Sequence, residues 1–182
     1  MKYQNLGSVP RSSLSRNTFL FSSTQRIVLL GSSKFPNIRA PVGHASTHAG
    51  FLLGLRALDC TAPVNGICVR RDGISQQQRV LTKIKSVMEL MDLDLDIGID
   101  DILCDDRFLA PGYGQLNEPT SEAIKLLANR EGILLDPTYS GKAFAALIDN
   151  VASANYGMED HLVFLHTGGT PSLFGYPELV GE

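Results

Sequence analysis

Ser46-Thr47-His48-Ala49-Gly50 opens an apolar run, Phe51 to Leu55, and hydroxyl and amide groups at a helix N-terminus form a site for phosphate or another anion. Three further segments carry polar groups on turns. Tyr113 stands between glycines in Pro111-Gly112-Tyr113-Gly114, and Tyr139 lies in Asp136-Pro137-Thr138-Tyr139-Ser140-Gly141-Lys142. His166-Thr167-Gly168-Gly169 follows an apolar stretch. Singly, each is an ordinary cap or turn. Together they suggest one ligand-binding edge, because open α/β sheets take their ligands at the turns beyond the carboxyl ends of their strands.

Other chemistries fail on spacing. Asp92, Asp94 and Asp96 match the acidic start of a calcium loop, but Ile97 stands where a glycine must turn the chain and Leu103 where a bidentate glutamate is needed. Gly141-Lys142 resembles the end of a phosphate loop, yet Asp136 replaces its first glycine and Ala143 its magnesium-binding hydroxyl. Gly112-Tyr113-Gly114 has Asn117 where a dinucleotide fingerprint has its third glycine. There is no G-x-S-x-G elbow, and His44, His48, His161 and His166 lack zinc-protease spacing.

The elements that must position these residues alternate between strand and helix. Ile27 to Leu30 reads as a strand, and Ser46 or Thr47 as the cap of a helix over Ala49 to Leu58. A buried strand follows at Pro63 to Val69, then a helix from Ser75 with Val80, Ile84, Val87, Leu90 and Met91 at helical spacing. The period-two pattern Asp92 to Ile97 fits a half-buried edge strand or the approach to one. Helices are expected from Glu118 to Gly132 and after Gly141, and a buried strand at Leu162 to Leu165. This order predicts an α/β fold with a largely parallel sheet and flanking helices.

With 182 residues, 43% of them hydrophobic and 19% charged, the chain can bury one core without staples. Cys60, Cys68 and Cys104 are odd in number and lack C-x-x-C spacing, which points to a reducing compartment. No apolar window approaches the length of a membrane span. Charge is unevenly spread. Residues 1–58 hold seven Lys/Arg and no acid, whereas residues 59–182 hold nine cations against nineteen acids. Such an acidic body disfavours nucleic acid as a partner. We divide the chain into a basic Ser/Arg-rich segment, 1–40, of disordered or targeting composition, and an enzyme-like domain, 41–182. A cytoplasmic location is expected, with mitochondrion or plastid as the alternative that segment leaves open.

The four ordered motifs resemble the D-cysteine desulfhydrase and aminocyclopropane-carboxylate deaminase family. They are Ser46 to Gly50, Asp105-Asp106-Arg107-Phe108 with Pro111 to Gly114, Glu131 to Lys142, and Phe164 to Gly169. The resemblance implies the later part of a tryptophan-synthase-β-like fold, with pyridoxal phosphate as cofactor and a small amino acid as substrate. By position, Thr47 and the amides of His48, Ala49 and Gly50 would hold the cofactor phosphate. Tyr113 and Tyr139 would face the substrate as phenols able to bind it or relay a proton, and Thr167 would meet the pyridine nitrogen.

In the deaminase branch the residue after the second tyrosine is Glu and the residue after the histidine is apolar, but this chain has Ser140 and Thr167. That difference implies a desulfhydrase, releasing pyruvate, ammonia and hydrogen sulfide from D-cysteine. Deaminase, cysteate sulfo-lyase and a non-catalytic binding remnant stay open beside it. The family's lysine motif, Asn-Lys-x-Arg-Lys, has no counterpart, and Lys34 stands in unlike surroundings. We therefore expect no lysine-bound cofactor in the chain alone, marginal stability, and self-association through unpaired sheet edges.

Overall fold

In the computed structural model the described residues are 18–21, 25–30, 37–42, 45–153, 155 and 162–180. Residues 1–17, Lys34, His44 and His161 lie outside them, and with them most of the 1–40 segment. Six strands form one sheet: β1 (Thr18–Phe21), β2 (Gln25–Leu30), β3 (Asn37–Val42), β4 (Val64–Cys68), β5 (Leu103–Asp105) and β6 (Leu162–His166). The helices are α1 (Ala45–Ala57), α2 (Gly73–Met91), α3 (Glu118–Glu131), α4 (Ser140–Ala152) and the short α5 (Pro177–Val180). The strand order is β1-β2-β6-β3-β4-β5. β6, β3, β4 and β5 run parallel, while β2 meets β6 and β1 meets β2 antiparallel. The backbone of β2 thus covers the outer edge of β6 from Leu162 to His166.

Alternation along the central strands divides the core. Val64 and Val163 face Ala49, Leu52, Val80, Ile84 and Ile102, which seats α1 and α2 on one side. Ile67 and Phe164 face Ala123, Ile124, Leu135, Ala143 and Leu147, which seats α3 and α4 on the other. Burial on both faces explains why β6 reads as an apolar run and not as an alternating strand.

Local chemistry sets the helix ends. The Asp72 carboxylate accepts from Ser75 N at 2.8 Å, so α2 begins at Gly73, two residues before the expected start. That bond holds the Asp72 carboxyl below its ordinary range. Asn117 accepts from Thr120 N at 2.9 Å, and Gly132, at φ 67°, ends α3 in the left-handed region that favours glycine. α1 begins at Ala45, about one turn before the expected Ala49, so Ser46 and Thr47 lie within its first turn instead of capping it.

Of the two readings of Asp92 to Ile97, the structure has the approach to an edge strand, since the segment leads into β5 and is not a strand itself. Asp92 adopts φ 52° and ψ 46° as the cap of α2, and residues 93–98 run without a ladder partner. The period-two signal was a burial signal: Leu93, Leu95 and Ile97 pack on the α1/α2 core while Asp94 and Asp96 face water. The edge belongs to β5.

Gly141 lets α4 approach α3 closely. A Cβ there would lie 2.7 Å from the Asp136 carbonyl oxygen and 2.9 Å from the Ile124 side chain. Because the first obstacle is backbone, Gly141→Ala is expected to destabilise the fold by about 1–3 kcal/mol. Chemical unfolding measures this, and an unchanged midpoint would refute the packing account.

Candidate ligand site at the carboxyl edge

Since β3, β4, β5 and β6 are parallel, their carboxyl ends share one edge, and the segments that leave it carry Thr47, Tyr113 and Thr167, while Tyr139 comes from the turn between α3 and α4. β3 leads into α1, β4 into Arg70, β5 into the loop bearing Tyr113, and β6 into Thr167. Tyr113 and Tyr139 meet there. Their hydroxyls are hydrogen-bonded, with ring centroids 5.7 Å apart at 76°. The Arg70 guanidinium lies 5.4 Å from the centroid of the Tyr113 ring, close enough for a cation–π contact.

Burial, then the Tyr113 hydrogen bond, pushes the Tyr139 phenol up to about 12. Arg70 acts in the opposite direction without overturning this. At neutral pH Tyr139 therefore keeps its proton and acts as a donor. Tyr113 is 46% exposed, so the pair has a wet side from which a ligand can approach.

The two tyrosines are held by different devices. Lys142 is fully buried, and its Nζ donates to the carbonyls of Leu109 at 3.1 Å and Gly112 at 2.8 Å. Burial lowers its pKa. Asn117 donates to the Ala110 carbonyl at 2.7 Å and the Tyr176 hydroxyl to that of Gly114. Four carbonyls around Tyr113 are thus tied down by side chains. Tyr139 depends on Asp136, whose buried carboxylate accepts from the amides of Thr138, Tyr139 and Ser140 at 3.0, 2.7 and 2.8 Å. The Ser140 hydroxyl also donates to it.

His166 organises the remaining turn. Its Nδ1 accepts from Gly168 N at 3.0 Å, which puts the ring proton on Nε2, where it donates to the Leu134 carbonyl at 3.0 Å. Thr167, half-buried, is presented between these contacts. Gly169 follows at φ 90°, and a Cβ there would stand 2.9 Å from the Asp136 carboxylate. The Thr167 turn and the Tyr139 turn therefore pack against each other.

The early start of α1 changes which amides are free. The first-turn amides of Ala45, Ser46 and Thr47 have no partner within the helix, whereas those of His48, Ala49 and Gly50 fall inside its hydrogen-bond ladder. The His48 ring turns inward and donates from Nε2 to the Val64 carbonyl at 3.2 Å. Arg70 was not singled out from sequence. Its one signal is its place, two residues beyond the end of a buried strand.

Residues 27–168 match the family model described as pyridoxal-phosphate dependent enzyme. The chain belongs to the pyridoxal-phosphate-dependent enzyme family. Its fold is similar to that of a solved structure described as an ACC deaminase homologue, with a TM-score of 0.70 and 30% identity. The match covers 81% of this chain and 44% of that one, so the chain spans less than half the length of that relative. The family match begins at residue 27, within the 1–40 segment.

The described residues fit the cofactor at one end. Three free amides and the hydroxyls of Ser46 and Thr47, at the positive end of a thirteen-residue helix, suit a phosphate. They do not supply its attachment. Lys83, Lys85 and Lys125 are exposed on the outer faces of α2 and α3, and Lys142 is engaged by two carbonyls.

Proposed function

We propose that this chain is the later part of a lyase of the D-cysteine desulfhydrase type, which converts D-cysteine and water to pyruvate, ammonia and hydrogen sulfide. The observation that carries this reading is the Tyr113–Tyr139 hydroxyl pair at the carboxyl edge, beside Arg70. When bound, pyridoxal phosphate supplies an electron sink for the substrate α-carbon. The chain's own residues do the rest. The Ala45 to Thr47 amides bind phosphate, Arg70 offers a cation for a carboxylate, and the Tyr139 hydroxyl holds a proton for the substrate.

The environment of residue 140 supports the desulfhydrase branch over the deaminase. Ser140 is fully buried and bonded to Asp136, so a glutamate there would bring a second carboxylate against the first in a dry turn. The Lys142 contacts favour a second reading as well, in which the chain binds the cofactor without attaching it.

One experiment addresses both. With pyridoxal phosphate, the isolated chain is expected to bind reversibly through the phosphate, and borohydride reduction should leave no lysine carrying a pyridoxyl group. A modified Lys34 or Lys142 would overturn that expectation. The chain completed by the family's lysine-bearing N-terminal segment should release pyruvate from D-cysteine faster than 2-oxobutanoate from aminocyclopropane carboxylate. The reverse preference would sink the branch assignment, and loss of both activities would leave the binding module as the reading.

A further inference from the structure

The loop between β5 and α3, residues 106–117, is neither strand nor helix, and none of its residues is buried. Tyr113 rides on it. Its meeting with Tyr139 therefore needs the loop to be held from beneath, and the hold comes from α4. Lys142, the third residue of that helix, is fully buried, and its Nζ donates to the carbonyls of Leu109 at 3.1 Å and Gly112 at 2.8 Å. Gly112 directly precedes Tyr113.

What the amine lacks is a counter-charge. The ion pairs of the described residues, Arg56 with Asp101 and Arg107 with Asp105 and Asp149, leave it out. Asp136, in the turn before α4, spends its carboxylate on three amides and a hydroxyl of its own turn. Burying a cation without a carboxylate is costly, and an apolar side chain of the same length would pack there without that penalty. The one thing such a chain could not do is bind the two carbonyls. Their oxygens converge on a single nitrogen from the two ends of residues 109–112, which is the geometry of a cradle for a small cation with N–H donors.

We propose that the Leu109 and Gly112 carbonyls form an ammonium-binding cradle that Lys142 fills with its own tethered ammonium, which makes Lys142 the positioning residue that sets Tyr113 against Tyr139. In this role Lys142 acts through the loop and touches no substrate, so the inference holds whichever amino acid the tyrosines face. Asn117 and Tyr176 bind other carbonyls of the same loop, at Ala110 and Gly114. Emptying the cradle should therefore displace Tyr113 without releasing the whole loop. It also follows that a free ammonium ion of the right size can replace the side chain. Lys142→Ala removes a three-carbon chain and its nitrogen, and n-propylammonium consists of those same atoms.

The test uses the full chain carrying 3-fluorotyrosine, followed by fluorine NMR at pH 7, with the Tyr113 and Tyr139 resonances assigned through Tyr113→Phe and Tyr139→Phe. In Lys142→Ala both resonances are expected to leave their wild-type positions, and n-propylammonium should return them along a saturating curve. Tetramethylammonium, equally charged but without N–H donors, should not. Lys142→Met fills the space and lacks donors, so it should fold, show displaced resonances and ignore n-propylammonium. Wild-type positions in Lys142→Met, no return in Lys142→Ala, or an equal return with tetramethylammonium would each overturn the proposal. If Lys142→Ala folds only when n-propylammonium is present, that requirement itself supports the cradle. If it folds with neither ion, the proposal fails.

Discussion

In an enzyme completed with the lysine-bearing segment and cofactor, Tyr139→Phe is expected to lower turnover on D-cysteine by about 10²- to 10⁴-fold, the effect of removing a positioned proton donor. The substitution removes one oxygen and leaves the ring. Tyr139 is half-buried at its turn, and its backbone amide is held by Asp136 whatever the side chain, so the fold should be unaffected. The phenol, pushed up to about 12, is protonated at every pH at which the enzyme would be assayed. The loss in Tyr139→Phe should therefore be the same from pH 6 to 9, unlike that of a group that titrates in this range. Tyr113→Phe should cost less, because Tyr113 is the wetter member and water can replace its hydroxyl. Thr167→Val should be milder still. Single-turnover kinetics separate these effects from product release, and a silent Tyr139→Phe would remove that residue from the chemistry.

The sequence was most legible where burial and backbone chemistry agree. β4 and β6 announced themselves because both faces are covered, and α3 because Pro119 stands at its start and Gly132 at its end. The Tyr113 and Thr167 motifs were legible as turns after strands, which is where the parallel sheet puts them, whereas the Tyr139 turn joins two helices. The features missed or left open are those that depend on distant partners. Period two at Asp92 to Ile97 left strand and approach undecided, since alternation fixes which side chain is wet and not whether a neighbouring strand exists. The start of α1 was misplaced because Ser46 and Thr47 have cap chemistry in a position where they form the first turn. Arg70 became visible only once the carboxyl end of β4 was set beside the tyrosine loop. Lys142 in a Gly-Lys dipeptide suggests phosphate chemistry, yet it holds the loop that carries the other tyrosine, 30 residues earlier in the chain.

Asp136 governs more of this site than any residue that faces the ligand edge, and its removal is expected to have the largest effect on stability. Its carboxylate is fully buried and takes three amide hydrogens and one hydroxyl, all from the first turn of α4 or the turn before it. Asp136→Ala would leave those donors without an acceptor in a dry place. Each buried unsatisfied group costs about 1–3 kcal/mol, and partial rescue by water should bring the total to about 3–5 kcal/mol, a large part of the stability of a domain this size. Asp136→Asn keeps the shape and one acceptor oxygen but turns an NH₂ group toward amide donors, so it should fall between wild type and Ala. The consequence for the site is specific. Without the carboxylate the Tyr139 turn relaxes and the hydroxyl pair with Tyr113 opens, so the late tyrosinate step near 12 should return toward the ordinary value of about 10. Urea unfolding followed with alkaline absorbance titration reads both effects on the same variant. If Asp136→Asn leaves the unfolding midpoint where it was, the donors find other partners and the turn is held by packing alone. If the midpoint falls but the late tyrosine step stays, the turn and the tyrosine pair are independent, and the link drawn between Asp136 and Tyr139 is wrong.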